Sequence, residues 1–357
     1  MFYISIAITL GTLLVLLKYI STTHTTNPPK PTELDPFNFA LIKPFPGSPL
    51  SQPPSWPRYW KPGKFQLTMA LRKLDINNWF QYDRLFAPEH AAKLAMVRSP
   101  HPEKYVDYLD GIDDAAVELL DTVVAYITTR FPDMFRADGE YVYIDCLAEK
   151  YRIRAPYDLH PLAVAGLLVM DDVYVLKRGE GGLYYLRGAF LACPTGWELQ
   201  QRLGWPLHQI HDPVPLWKEK LRKSMERFFR NIQPSKPIQR NNLFIQPGGG
   251  LFHIVPFQKQ PRCTSIEQVH LRTELQSLSR LRQSQAIMFT VRTYLTPMTE
   301  LCKEPEQLEA LWDHVRNWPE DVAEYKCYHL WGDVFEKFCR EVLGKENPEI
   351  TSKCDEI

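Results

Sequence analysis

Apolar residues recur along this 357-residue chain at two different periods. Between Asp113 and Arg130, residues Ala116, Val117, Leu120, Val123, Val124 and Ile127 fall three and four apart, which predicts a helix with one buried face. Residues 65–135 as a whole read mainly as helix, and Asp75 is placed to cap a segment running through Trp79 and Tyr82. The period then shortens. Leu167–Leu176 and Leu183–Cys193 are rich in β-branched and aromatic residues, and the glycine-containing stretch 177–182 between them is a hairpin signal. Residues 196–232 turn helical, interrupted by Pro206, Pro213 and Pro215, with Trp217–Ile232 as an amphipathic helix. Three more strands are predicted at Asn242–Ile245, Val269–Leu278 and Ala286–Leu295. In the fourth strand Val269, Leu271, Thr273 and Leu275 alternate with Arg272, Glu274 and Gln276. The fifth separates Ile287, Phe289 and Val291 from Met288, Thr290 and Arg292. Helices return at Glu304–Trp318 and Glu320–Leu343.

Strand, strand, helices, strand, strand, strand is the element order of a PAS-like fold. The predicted class is therefore α+β: a five-stranded antiparallel sheet with a helical insert and flanking N- and C-terminal helices, although other α+β folds share this order. A transmembrane helix is expected to precede it. Phe2–Leu17 is apolar or small throughout, and Tyr19 and Ile20 extend it towards the about 20 residues a bilayer requires. A cleaved signal peptide would need a basic start and a small-x-small cleavage site, which Ser21-Thr22-Thr23 fits poorly. Lys18 and Lys30 follow the run, so the positive-inside rule places the domain in the cytosol, with the endoplasmic reticulum as one candidate membrane. The expected organisation is an anchor at 1–20, a proline-rich linker at 21–64, one domain at 65–345 and a tail at 346–357. The linker carries eleven prolines between Asn27 and Gly63, while Phe37, Phe39, Phe45, Trp56 and Trp60 predict that part of it packs back onto the domain.

Lysine plus arginine and aspartate plus glutamate each number 42, and this zero net charge argues against a nucleic-acid partner. The seven cysteines include no CxxC pair, so neither a zinc or iron–sulfur site nor a disulfide framework is expected. Gly248-Gly249-Gly250 lacks the Lys-Ser/Thr of a phosphate loop, and no HExxH, GxSxG or GxGxxG occurs in a usable context. With no nicotinamide or flavin site to point to, electrons for any redox chemistry are expected from a separate reductase.

Several stretches in order resemble the haem-dependent oxidative N-demethylase family across residues 60–330. They are Thr68-Met69-Ala70-Leu71 with Leu74-Asp75 and Trp79, then Arg130-Phe131-Pro132-Asp133-Met134-Phe135, then Leu203-Gly204 through Pro206-Leu207, Ile210-His211 and Pro213-Val214-Pro215. Arg227-Phe228-Phe229, Arg272-x-Glu274-x-Gln276-x-Leu278, Phe289-Thr290-Val291-Arg292-Thr293-Tyr294 and Tyr325-Lys326 follow. The resemblance implies a PAS-fold haem enzyme that uses O2 and external electrons to oxidise a secondary amine, releasing formaldehyde. Three departures stand out: Met69-Ala70-Leu71 replaces Met-Gly-Leu, Ala192-Cys193-Pro194-Thr195-Gly196-Trp197 replaces Cys-Phe-Pro-Ser-x-Trp, and Leu275 stands where an arginine usually follows the glutamate.

On that reading His211 is the candidate axial ligand, since neutral imidazole is a standard proximal ligand and Pro213 and Pro215 stiffen the backbone beside it. The competing reading is a loop histidine bonded to a backbone carbonyl; His208 and a Cys193 thiolate are the alternative ligands. Arg272 and Arg292 are candidates for pairing with haem propionates, and Glu274 and Arg292 for the catalytic polar groups, Glu274 holding a protonated amine or taking its proton. Their alternative is a structural Arg–Glu pair within the sheet. Thr290 and Tyr294 are lesser pocket candidates, and Trp197, Trp205, Trp217 and Phe228-Phe229 are packing residues that could wall a flat apolar cofactor. Without CxxCH for covalent attachment, the expected cofactor is haem b. The partners are O2, a small-molecule substrate and the reductase. A non-catalytic haem-binding or gas-sensing module is the alternative function, and a relative that has lost haem is a third.

Overall fold

The computed structural model describes residues 37–345 other than His253. In chain order its strands are β1 (Arg72–Lys73), β2 (Val106–Tyr108), β3 (Phe135–Ala137), β4 (Tyr141–Ile144), β5 (Glu149–Arg152), β6 (Asp172–Arg178), β7 (Tyr184–Phe190), β8 (Ile238–Pro247), β9 (Val269–Arg280) and β10 (Ile287–Pro297). The described helices are α1 (Phe86–Val97), α2 (Asp113–Arg130), α3 (Pro161–Leu168), α4 (Leu207–His211), α5 (Trp217–Lys220), α6 (Arg222–Asn231), α7 (Pro305–Arg316), α8 (Glu320–Tyr325) and α9 (Tyr328–Leu343).

The PAS-like five-stranded sheet is corrected to a seven-stranded antiparallel sheet, ordered β1-β8-β9-β10-β6-β7-β2, beside a separate three-stranded sheet β3-β4-β5. The five strands expected from the sequence, with shifted bounds, form the centre of the larger sheet. Its edges are β1, pairing Arg72 with Gln239, and β2, pairing Val106 with Phe190. Two and three residues are too few to show a period, so their patterns are invisible in sequence. In the small sheet Val142 and Ile144 are buried, whereas Tyr141 and Tyr143 point outward under Lys150, Arg136 and Arg152. The expected transmembrane helix is also corrected. Among the described residues no helix is long and apolar enough to cross a membrane, and the expected span Phe2–Leu17 lies outside them. The single-pass, cytosol-facing assignment and the membrane as a partner are therefore withdrawn.

One face of the sheet is dry. Val173, Val175 and Met288 pack with Leu119, Leu120, Val123 and Ile127 of α2 and with α3, whose eight residues are all buried. Leu243, Ile245 and Leu271 pack with Leu308, Leu311, Trp312, Trp331 and Phe335 of α7 and α9. The β9–β10 hairpin is held from α2, where the Glu118 carboxylate accepts the Gln283 and Ser284 amides, both at 2.7 Å. The opposite sheet face is covered by α4, α5 and α6. Arg280 fixes that insert by donating to Ile232 O at 2.8 Å and to Phe229 O at 2.5 Å, carbonyls at the end of α6 that have no partner within the helix.

The proline-rich residues described from 37 onward lie along the domain. The Phe37 ring packs at a tilt against Trp79, centroids 5.2 Å apart, Trp60 Nε1 donates to Gln307 O at 2.9 Å, and the Gly63 amide donates to Asp313 Oδ2 at 2.6 Å. Ala70, just before β1, holds a left-handed φ of 50°.

Candidate functional site

Between the sheet and the α4–α6 insert is a cavity of about 340 Å3, within the range of ligand pockets. Register decides which side chains reach it. Asn242 pairs with Glu274, Arg240 with Gln276, Gln276 with Val291 and Phe289 with Tyr174, and all of these face the cavity. Leu176, Leu207, Trp217 and Phe289 supply apolar wall. An adjoining apolar chamber of about 70 Å3 shares Leu207, His211, Arg240 and Phe289 and is closed by Met69, Leu71 and Phe228. Gly196, at φ 72°, lets the Thr195–Trp197 turn run close against Pro256, and Thr195 and Trp197 line the cavity.

His211 ends α4 and lines both chambers. Its Nδ1 lies 2.7 Å from Leu207 O. A carbonyl only accepts, so the hydrogen sits on Nδ1 and Nε2 keeps its lone pair, which no described residue engages. The ring stacks on Trp217, centroids 5.4 Å apart and planes within 14°. Burial, reinforced by the nearby Arg240 and Arg202 charges against the opposing Leu207 bond, pushes its pKa down to about 4. The imidazole is therefore neutral at physiological pH, as a metal requires. The alternatives fare differently. His208 does not line the main cavity and instead lines a small neighbouring pocket with Glu226 and Tyr184. Cys193 lines the cavity, but burial, and then Asp172, pushes its thiol well above the ordinary range, so it stays protonated.

Glu274 is buried on the cavity floor. Its carboxylate accepts from Gln276 Nε2 at 2.8 Å, Asn242 Nδ2 at 3.2 Å, Thr195 Oγ1 at 3.4 Å and Arg272 Nε at 3.5 Å. Arg272 is fully buried beneath it and does not line the cavity. Its other nitrogens donate to Leu251 O at 3.2 Å and to Cys193 O, tying the 193–197 turn to β9. Arg292 is not brought to the cavity. Thr293, not Arg292, pairs with Glu274, so Arg292 emerges on the dry face, bonded to Glu89 Oε2 at 2.7 Å and Asp83 Oδ2 at 3.0 Å. Thr290 and Tyr294 share that face, bonded to Ser277 and Gln81. Alternation within one strand groups Arg292 with Glu274; only cross-strand register separates them.

Three cavity cations escape sequence reasoning: Arg202, Arg240 and Lys326. Arg240 forms no hydrogen bond or ion pair with any described residue, its Nε is buried, and desolvation lowers its pKa. Arg202 lies 4.5 Å over the Trp197 ring, and burial lowers its pKa too. Lys326 donates to Leu243 O at 2.7 Å above the Phe244 ring, and burial pushes it down to about 8. The available signal was the alternation of Arg240, Asn242 and Phe244 against the apolar Leu243 and Ile245.

A haem asks for one axial donor, apolar walls and cations for its two propionates. The open Nε2 of His211, the Trp217 and Phe289 walls and the guanidiniums of Arg202 and Arg240, which form no ion pair with any described residue, meet these requirements, and the Arg240 Nε is a buried donor with no acceptor among the described residues. Fold and site together define an α+β protein with a cavity of about 340 Å3 lined by a neutral histidine. A family model described as haem-dependent oxidative N-demethylase, alpha subunit-like, matches residues 70–336, and the chain belongs to that family. Haem dependence and an oxidative, demethylase-type oxidoreductase activity, with O2 and an organic substrate, are what this family's description carries.

Proposed function

We propose that this chain binds haem b through His211 Nε2 and removes an N-methyl group from a small amine. The observation that carries the proposal is a neutral imidazole, fixed by its Leu207 bond, in one cavity with two guanidiniums that form no hydrogen bond or ion pair with any described residue. Arg202 and Arg240 would hold the propionates, and the attachment is non-covalent. The bound haem would supply O2 activation and the two-electron oxidation. Glu274, oriented by Gln276, Asn242 and Thr195, holds the substrate ammonium and takes its proton; Arg272 positions Glu274 and the Cys193 turn. For balance, one O2, two electrons and two protons convert the N-methyl group to formaldehyde and water and leave the demethylated amine. The electrons come from a separate reductase.

The visible spectrum of the full chain tests this reading. His211→Ala should abolish or strongly shift the Soret band with far-UV circular dichroism nearly unchanged, and His208→Ala should do neither. A wild type without haem, or an unchanged Soret band in His211→Ala, overturns the ligand assignment. Haem binding without reductase-dependent formaldehyde release favours the non-catalytic module instead.

A further inference from the structure

The cavity carries more charge than haem and a simple amine require. Its cations are Arg202, Arg240 and Lys326, and Glu274 is its carboxylate. Two propionates match two guanidiniums: Arg240 lines both chambers together with His211, and Arg202 lies in the main cavity over the Trp197 ring. Lys326 lines the main cavity but not the small chamber that His211 and Arg240 share, and it sits at Leu243 O. Lys326 and Glu274 therefore remain. They share the cavity, yet no ion pair within 4.0 Å joins them.

The lysine is built into the wall. Its backbone carbonyl accepts from Trp331 Nε1 at 3.2 Å, and Nζ donates to Leu243 O at 2.7 Å beside the Phe244 ring at 4.0 Å. One acceptor for an ammonium leaves two N–H groups unspent. Glu274 lines the same cavity, its carboxylate held by three side-chain amide and hydroxyl donors and by the buried Arg272 Nε at 3.5 Å, and no cavity cation pairs with it. A fixed anion and a fixed cation that face one space without meeting are complementary to a ligand bearing both opposite charges.

From this geometry we infer that the substrate is an N-methylated amino acid, its ammonium on Glu274 and its carboxylate on Lys326. This deepens the proposed function and rests on haem occupying the guanidinium side. Calorimetric titration of the haem-loaded full chain at pH 7 with N-methylglycine, N-methyl-β-alanine and dimethylamine tests it. One of the two amino acids should bind about tenfold or more tighter than dimethylamine. Lys326→Gln, which keeps a donor for Leu243 O, should erase that advantage while leaving dimethylamine affinity within about twofold. Lys326→Arg should retain the preference. The Soret band of each variant reports whether the pocket is intact. Should Lys326→Gln lose haem, the wild-type selectivity and Lys326→Arg decide alone. Dimethylamine binding as tightly as both amino acids, or Lys326→Gln weakening all three alike, overturns the inference. A chain that binds no haem instead overturns the proposed function beneath it.

Discussion

Replacing Arg292 by methionine separates a structural role from a role in the site. The guanidinium is almost fully buried and meets two carboxylates, Glu89 at 2.7 Å and Asp83 at 3.0 Å, on the sheet face away from the cavity. Removing one member of such a buried group costs about 3–5 kcal/mol, because the partner charges stay behind without compensation. Burial already raises the Glu89 pKa, and Arg292 is the main influence lowering it. In Arg292→Met the Glu89 pKa therefore rises further, and the carboxyl takes up its proton at a higher pH than in the wild type. A carboxyl with a raised folded-state pKa stabilises the fold at low pH and loses that contribution as pH rises through the folded value. The deficit relative to wild type should be largest at pH 7 and shrink by about 1–2 kcal/mol on lowering the pH to 5. Urea denaturation at both pH values, followed by far-UV circular dichroism, reads this directly. The Soret band at low denaturant should match wild type. An equal deficit at both pH values would attribute the loss to packing rather than charge. Loss of haem from a folded variant would return Arg292 to the site.

Ala70→Gly should stabilise the chain by about 0.5–1 kcal/mol, since relief of the left-handed strain at φ 50° outweighs the added freedom of glycine in the unfolded chain; a lower urea midpoint would refute this. Arg280→Met leaves the Ile232 and Phe229 carbonyls and the Tyr184 hydroxyl unsatisfied and should cost about 3 kcal/mol. Hydrogen exchange should quicken first in residues 222–232; uniform acceleration across the fold would show that Arg280 does not specifically hold the insert.

Period-2 alternation was long enough to see in β9 and β10, with twelve and eleven residues, and this made the centre of the sheet legible. It failed wherever burial was complete or the element brief. Pro161-Leu162-Ala163-Val164-Ala165-Gly166-Leu167-Leu168 is buried on every side, so it has no polar stripe to mark a helix, and its last two residues read as the start of a strand. The site divides in the same way. His211 and Glu274 lie in recognisable stretches and do reach the cavity. Arg240 and Lys326 lie 86 residues apart in sequence and line one cavity only because β8 carries one while the α8–α9 junction carries the other over Leu243. Arg292 looked equivalent to Glu274 because single-strand alternation contains no information about register with the neighbouring strand.

The attachment of residues 59–63 has a consequence for synthesis. Trp60 and Gly63 find their partners 247 and 250 residues further on, at Gln307 and Asp313. At roughly 5–20 residues per second, a ribosome takes about 10–50 s to deliver those partners after the segment itself has emerged. During that interval the side chains of Trp56 and Trp60 have no native surface to cover them. The prolines at positions 53, 54, 57 and 62 deny the waiting segment both a helix and a regular strand. It therefore has little ability to pair with the edge of a half-made sheet, in its own chain or in a neighbouring nascent chain, before the C-terminal helices arrive to receive it.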